Sequence, residues 1–360
     1  MTTAPAHIFS LMLSAATEGV GGAGNELIGR LWSALLVNTL FFTGIAQAGI
    51  VFSAIYRTTR SRWSPGLERL GFSGIRFLPI SLLLLAVLFL GHQHLYSWTH
   101  EPLPEAKRWW LSSTFFFARQ FFYFGVMTLL SFGYYRLYLR PESEERWNKM
   151  GVFAPWLIFA YAVFYSLIAF DMLMSLEPEW YSNLFGAYFF ISNLYAAMAF
   201  LAFVAALRYR RNGFTKEISV DSFHDIGKLI FGFCCVTADF LWSQYIVIYY
   251  GNLPEEVGYV LKRTATSHWG GMGIVVLLTA FVIPFIVLIS REVKRHPRVL
   301  IYVVGLILVG IHLVDYLLVL PAVVPNASIR FPTVEWIFSA GFAFLYAGIV
   351  RRYLREAPGV

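Results

Sequence analysis

The stretch Trp269–Leu320, WGGMGIVVLLTAFVIPFIVLISREVKRHPRVLIYVVGLILVGIHLVDYLLVL, decides what kind of protein this is. From Trp269 to Ser290 it contains no Asp, Glu, Lys or Arg. Arg291, Lys294, Arg295 and Arg298 then crowd into one short loop. From Val299 to Leu320 the chain is apolar again, with one histidine, His312, and one carboxylate, Asp315. A helix of about 20 residues crosses the ~30 Å hydrocarbon core of a bilayer. Two such runs joined by a basic turn read as a pair of membrane-spanning helices, because only a structure that satisfies its own backbone can live in lipid.

Working outward, seven more runs of the same kind precede or follow: Trp32–Ile55, Phe77–Trp98, Leu111–Tyr135, Val152–Leu173, Leu184–Leu207, Leu229–Tyr250 and a short Trp336–Val350. The expectation is an all-α integral membrane protein of about nine transmembrane helices. Residues 1–31 form a short external segment, 32–350 the helical domain and 351–360 an internal tail. Ala4–Gly24, with Glu18 and several glycines, reads as an interfacial helix rather than a tenth span. Composition agrees: 58% of residues are hydrophobic and 14% charged, against roughly 45–50% and about 25% in soluble domains.

The loops test the count. Assigned alternately to the two sides, they carry 21 Lys and Arg on one side and 6 on the other, and Arg119, inside a span, is the last. Cytoplasmic loops are the basic ones, so the N-terminus is expected outside (periplasmic) and the C-terminus in the cytoplasm. Trp32, Trp98, Trp109, Trp110, Trp180, Trp269 and Trp336 then fall at the outer interface, where amphipathic rings collect. The net charge of +7 is therefore a topology signal and not a nucleic-acid surface. The first 29 residues hold no Lys or Arg, so a cleaved signal peptide is not expected. The adjacent Cys234 and Cys235 are too few for a cluster or structural zinc, and no haem-attachment motif occurs.

Ionisable groups within spans are costly and mark function by default. His92, Arg119, Asp171, His268, His312 and Asp315 all fall in the outer half, and are candidates for a quinone-binding site or a proton exit. His312 and Asp315, three apart, share a helix face and are expected to act as a proton-passing pair. Lys228, Cys235, Asp239 and Ser243 form one stripe, expected to carry a proton half-channel from the cytoplasm to mid-membrane. The bland readings stay open: Arg119 pairing with an aspartate to hold two helices together, His92 and its neighbour His94 simply wet, Asp171 and Asp315 locking the bundle. No metal site is expected.

Four stretches carry a resemblance: FDMLMSLEPEWYSNLFGAYFF from Phe170, HDIGKLIFGF from His224, SQYIVIYYGNLPEE from Ser243 and FVIPFIVLISREVKR from Phe281. In this order, on these spans, they resemble the NrfD-like (polysulfide reductase) family of membrane subunits, and most the shorter of the two such subunits in bacterial alternative complex III. The resemblance implies a pair of four-helix bundles with a flanking helix, in a respiratory complex of the bacterial inner membrane. That complex oxidises quinol (menaquinone or ubiquinone as the pool) and reduces a periplasmic cytochrome c or similar acceptor. It implies partners: a second NrfD-like subunit, a large iron–sulfur protein, multihaem cytochrome c subunits and, in some assemblies, a terminal oxidase. Haem and iron–sulfur clusters would sit only in those partners, and the quinone would bind non-covalently. Alternative complex III members often have ten spans, one more than expected here. A proton-conducting or structural subunit without its own quinone site is the alternative, and a secondary transporter a third reading, against which stands the lack of inverted repeats.

Overall fold

In the computed structural model the backbone is described for residues 4–356 except 62, 104, 266 and 326–331; side chains are described from 24 onward, leaving out also 255, 267 and 268. Among the described residues the fold is all-helical. The principal helices are α1 (Ala4–Thr58), α2 (Phe77–Leu90), α3 (Ser113–Tyr138), α4 (Glu144–Ile168), α5 (Phe185–Asn212), α6 (Val220–Gly251), α7 (Ser267–Val276 continuing to Ile289), α8 (Pro297–Val323) and α9 (Thr333–Glu356). Among the described residues eight of these are long and apolar enough to cross a membrane, the architecture of a multi-pass membrane protein. α2 is the exception. Its helix stops at Leu90 instead of running to Trp98, because Gly91 opens a polar 3₁₀ turn over His92–His94. Its 14 residues rise only about 21 Å. α1, by contrast, runs unbroken from Ala4, where an interfacial helix separate from the first span was expected.

Local sequence sets the helix ends. Ser143 and Ser219 cap α4 and α6 through their hydroxyls, supplying an acceptor to otherwise unpaired N–H groups. Gly213, at φ +70°, ends α5 in a conformation that side chains resist. α7 carries a π-turn at Leu277–Val282 followed by Pro284. Pro284 has no N–H to give the Ala280 carbonyl four residues back. The Tyr195 hydroxyl from α5 donates to that carbonyl instead, at 2.9 Å.

α1 packs against α2, α4, α5, α8 and α9; α5 packs against α4, α6 and α8; α3 sits on α2 and α4, and α7 on α6 and α8. α1 and α5 pack against each other at the centre, and α9 lies beside α1. α1 and α5 are the enclosed helices, and both are rich in small residues: Ala34, Ala46, Ala48 and Ala54 on one, Ala196, Ala197, Ala199, Ala202, Ala205 and Ala206 on the other, all buried. In lipid, helices associate through close packing, and small side chains permit it. α6, α7 and α9 lie at the perimeter with most of their surface turned outward.

The loops gather at two ends. At one, Arg57 pairs with Glu68 at 2.6 Å, Arg69 with Glu217 at 3.5 Å, Arg295 with Asp221 at 3.4 Å, and Arg76 with Glu356. At the other, Arg30 holds Glu335 and Lys262 holds Glu177, while the Tyr96 hydroxyl reaches the Met172 carbonyl at 3.2 Å. The first end is the lysine- and arginine-rich one. α2 connects the two ends, so the alternation of basic and non-basic loops is also a spatial alternation.

Candidate functional site

Arg119 on α3 and Asp171 just beyond α4 meet as one partner pair, in the arrangement one of the bland readings anticipates. A π-turn, Ala169–Leu173, swings Asp171 into the interior. Its carboxylate accepts from Arg119 Nη2 (3.0 Å) and Nε (3.2 Å), from Gln120 Nε2 (2.6 Å) and from Trp110 Nε1 (2.9 Å). Arg119 also donates to the Trp110 carbonyl at 2.8 Å and lies 3.9 Å over the Trp110 ring. Each nitrogen of the guanidinium has a partner and both groups are buried. A carboxylate with four donors has little capacity left for a travelling proton; the geometry is that of a lock between α3 and α4.

His312 and Asp315 do not pair. No hydrogen bond or ion pair joins them: His312 is engaged by α9 and α1, and Asp315 is not held by it. His312 Nε2 meets Ser339 Oγ of α9 at 2.9 Å, and its ring lies 4.5 Å from that of Phe41 on α1. Ser339 also meets the Tyr316 hydroxyl at 3.0 Å, which accepts from Asn38 Nδ2 at 3.0 Å. Nearby, Arg30 grips Glu335 through two bonds of 2.8 Å. His312 Nδ1 and Asn38 Oδ1 are buried without a partner.

Asp315 stands apart. It is only 7% exposed, and among the described residues it makes no hydrogen bond or ion pair. The hydroxyls of Tyr188 and Tyr316 are its electrostatic neighbours, and the Tyr188 hydroxyl is itself buried without a partner. A separate polar group lies between α8 and the non-basic end. Tyr259, on the short helix Pro254–Thr264, stacks on Trp180 with ring centres 3.7 Å apart. Arg263 lies 3.6 Å over the Tyr259 ring and donates to the Leu318 carbonyl, one turn beyond Asp315, at 2.8 Å. It pairs with Glu177 at 2.7 Å, and the half-exposed Lys262 completes that carboxylate at 2.9 Å. Burial pushes the Tyr259 phenol above its ordinary range, against the pull of Arg263, so it is a neutral donor. A buried acid that makes no hydrogen bond or ion pair among the described residues is a place where a proton can be taken up.

The second stripe is placed differently from its expectation. Lys228 and Asp239 are exposed, and Cys235 and Ser243 half-buried, on the outer surface of α6. Only one face of α6 packs, against α5 and α7, and the stripe falls on the other. Lys228 pairs with Asp225 at 2.6 Å. Cys234, not Cys235, turns inward, its thiol 3.7 Å from the Phe281 carbonyl of the π-turn. A half-channel along these residues cannot run inside this chain; it would run between α6 and a neighbour.

His92 is tied locally, to the Phe89 carbonyl at 2.6 Å and Ser113 Oγ at 3.0 Å. The side chain of His268 lies outside the described residues. Reading from sequence missed Tyr188, Glu177, Tyr259, Arg263, Asn38 and Ser339. Glu177 and Tyr188 lie within the quoted stretch from Phe170, but a loop carboxylate and an apolar-run tyrosine give no signal of their own. Compared with models of protein families and with curated proteins, the sequence matches none.

Proposed function

We propose that this chain is a membrane subunit of a quinol-oxidising respiratory complex of the bacterial inner membrane, of the NrfD-like kind, with nine spans in two four-helix bundles plus a flanking helix. Its N-terminus lies on the periplasmic side and its basic end in the cytoplasm. It contributes to quinol binding and proton release and carries no redox centre. The electrons go to iron–sulfur and haem groups of partner subunits, and from there to cytochrome c or a similar acceptor.

The observation that carries the reading is Asp315, buried and without a hydrogen bond or ion pair among the described residues. Quinol oxidation gives up two electrons and two protons, and a proton acceptor near the ring with an exit to the outside is what it requires. Asp315 takes the proton from a quinol hydroxyl, and the proton leaves toward the non-basic end, where the Tyr188 and Tyr259 hydroxyls and the Glu177 carboxylate are the groups able to carry it and Arg263 holds Glu177 in place. The resemblance of the four quoted stretches supports the same assignment.

The exposed Asp239 favours a second element of the reading. A carboxylate on the lipid-facing surface halfway along a span is costly, so a membrane partner covers it, and a proton path shared between the two chains passes there. The test is purification of the tagged protein from its native membrane in mild detergent, with a redox difference spectrum. Co-purifying c-type haem and a large iron–sulfur protein are expected. A colourless chain on its own would overturn the assignment and turn the Asp315 cluster into a transporter's substrate path.

A further inference from the structure

A cavity of about 850 Å³ opens at the basic end, between the α1–α2 connection, the α3–α4 hairpin and the end of α9. Five guanidinium groups line it, those of Arg57, Arg69, Arg76, Arg140 and Arg146, against three carboxylates, Glu68, Glu142 and Glu356. Two of the carboxylates are already taken. Glu68 is held by Arg57 at 2.6 Å, and Glu356 by Arg76 and by Arg352, the latter at 2.8 Å. The cavity thus keeps a surplus of positive charge.

That surplus has open valences. Among the described residues neither Arg140 nor Arg146 has an ion pair. Arg146 is held in place, its guanidinium 5.2 Å over the Tyr138 ring and its Nη1 donating to the Arg140 carbonyl at 3.0 Å, which leaves further N–H groups unspent. Arg57, buried under the Trp147 ring at 3.9 Å, is committed to Glu68, so the free donors are those of Arg140 and Arg146. The hydroxyls of Tyr56 and Tyr138 add donors to the wall. Planar guanidinium forks match the oxygens of a phosphate in pairs. Ligand sites run to roughly 300–1,000 Å³, so the cavity has room for a phosphate with an organic group attached. Basic pockets between helices at the cytoplasmic end are where acidic lipid headgroups bind.

We propose that this cavity binds a phosphate-bearing anion, either the headgroup of an acidic phospholipid or a free phosphate. The full chain in neutral detergent is titrated with phosphatidylglycerol, with phosphatidylcholine and with inorganic phosphate, and read by native mass spectrometry and thermal unfolding. Expected is one tightly held phosphatidylglycerol per chain, not displaced by phosphatidylcholine, for a headgroup; stabilisation by inorganic phosphate with no lipid selectivity identifies the free anion. In either case Arg140→Gln with Arg146→Gln, which leaves the Arg57–Glu68 pair intact, weakens binding at least tenfold, and the Lys substitutions, which keep the charge and lose the fork, weaken it less. The melting temperature without ligand checks that the variants fold. The proposal is overturned if neither probe binds the unaltered chain beyond phosphatidylcholine, or if the double Gln variant folds and binds as well as its parent.

Discussion

Replacing Asp171 by alanine removes the acceptor shared by four buried N–H groups, two of Arg119 and one each of Gln120 and Trp110. The side chains of Arg119 and Asp171 are 8% and 2% exposed, so solvent screening does little to soften the loss. Breaking a buried pair from one side costs about 3–5 kcal/mol, because a charge is left without compensation. Arg119 keeps its bond to the Trp110 carbonyl, which holds the value within that range. Removing both charges at similar volume, Arg119→Met with Asp171→Leu, is expected to cost less than the single change, by the same reasoning. The assay is unfolding in mild detergent followed by tryptophan fluorescence. A loss below about 1 kcal/mol in Asp171→Ala, or a double variant worse than the single one, would refute the lock. Normalised to folded protein, turnover of the double variant should fall less than that of Asp315→Asn.

Tyr195→Phe takes the donor from the Ala280 carbonyl that Pro284 cannot satisfy, and should cost about 1–3 kcal/mol; adding Pro284→Ala, which restores an N–H, should recover part of it in the same unfolding assay. Gly310→Val places carbon against the α7 backbone, where a Cβ would already stand 2.6 Å from the Ala280 nitrogen, and should cost about 1–3 kcal/mol by overpacking, visible as a lowered melting temperature. Asp239→Lys should reduce the amount of membrane partner recovered with the tagged chain while leaving the melting temperature of the isolated chain unchanged; full recovery of the partner would mean that this face is not covered.

The helices were legible because their signal is one-dimensional: an uncharged run of the right length needs no knowledge of neighbours, as Trp269–Ser290 demonstrates. α2 is the informative departure, since the run Phe77–Trp98 includes His92, Gln93 and His94, whose polarity favours a turn that a length count ignores. Depth along a span was legible too, and it brought Arg119 and Asp171 to one level. The direction in which a side chain faces was not. His312 and Asp315 share a stripe of α8, yet the stripe is wide enough to meet α9 on one side and α5 on the other. The Lys228–Ser243 stripe is regular on paper, but whether it faces the core depends on α6 lying at the perimeter, which no local pattern encodes. Tyr188 and Arg263 matter only because α5 and the helix Pro254–Thr264 converge on α8, from points 75 residues apart in the chain.

The most direct test of the account is quinol oxidation by the purified complex carrying Asp315→Asn, measured as acceptor reduction with proton release followed in the same sample. A positioned acid or base contributes about 100-fold or more, so turnover should fall by about that factor while the complex stays assembled and its haem and iron–sulfur spectrum unchanged. Turnover and proton release equal to those of the unaltered complex would contradict the account, and Asp315 would then be a structural group whose burial serves the bundle alone.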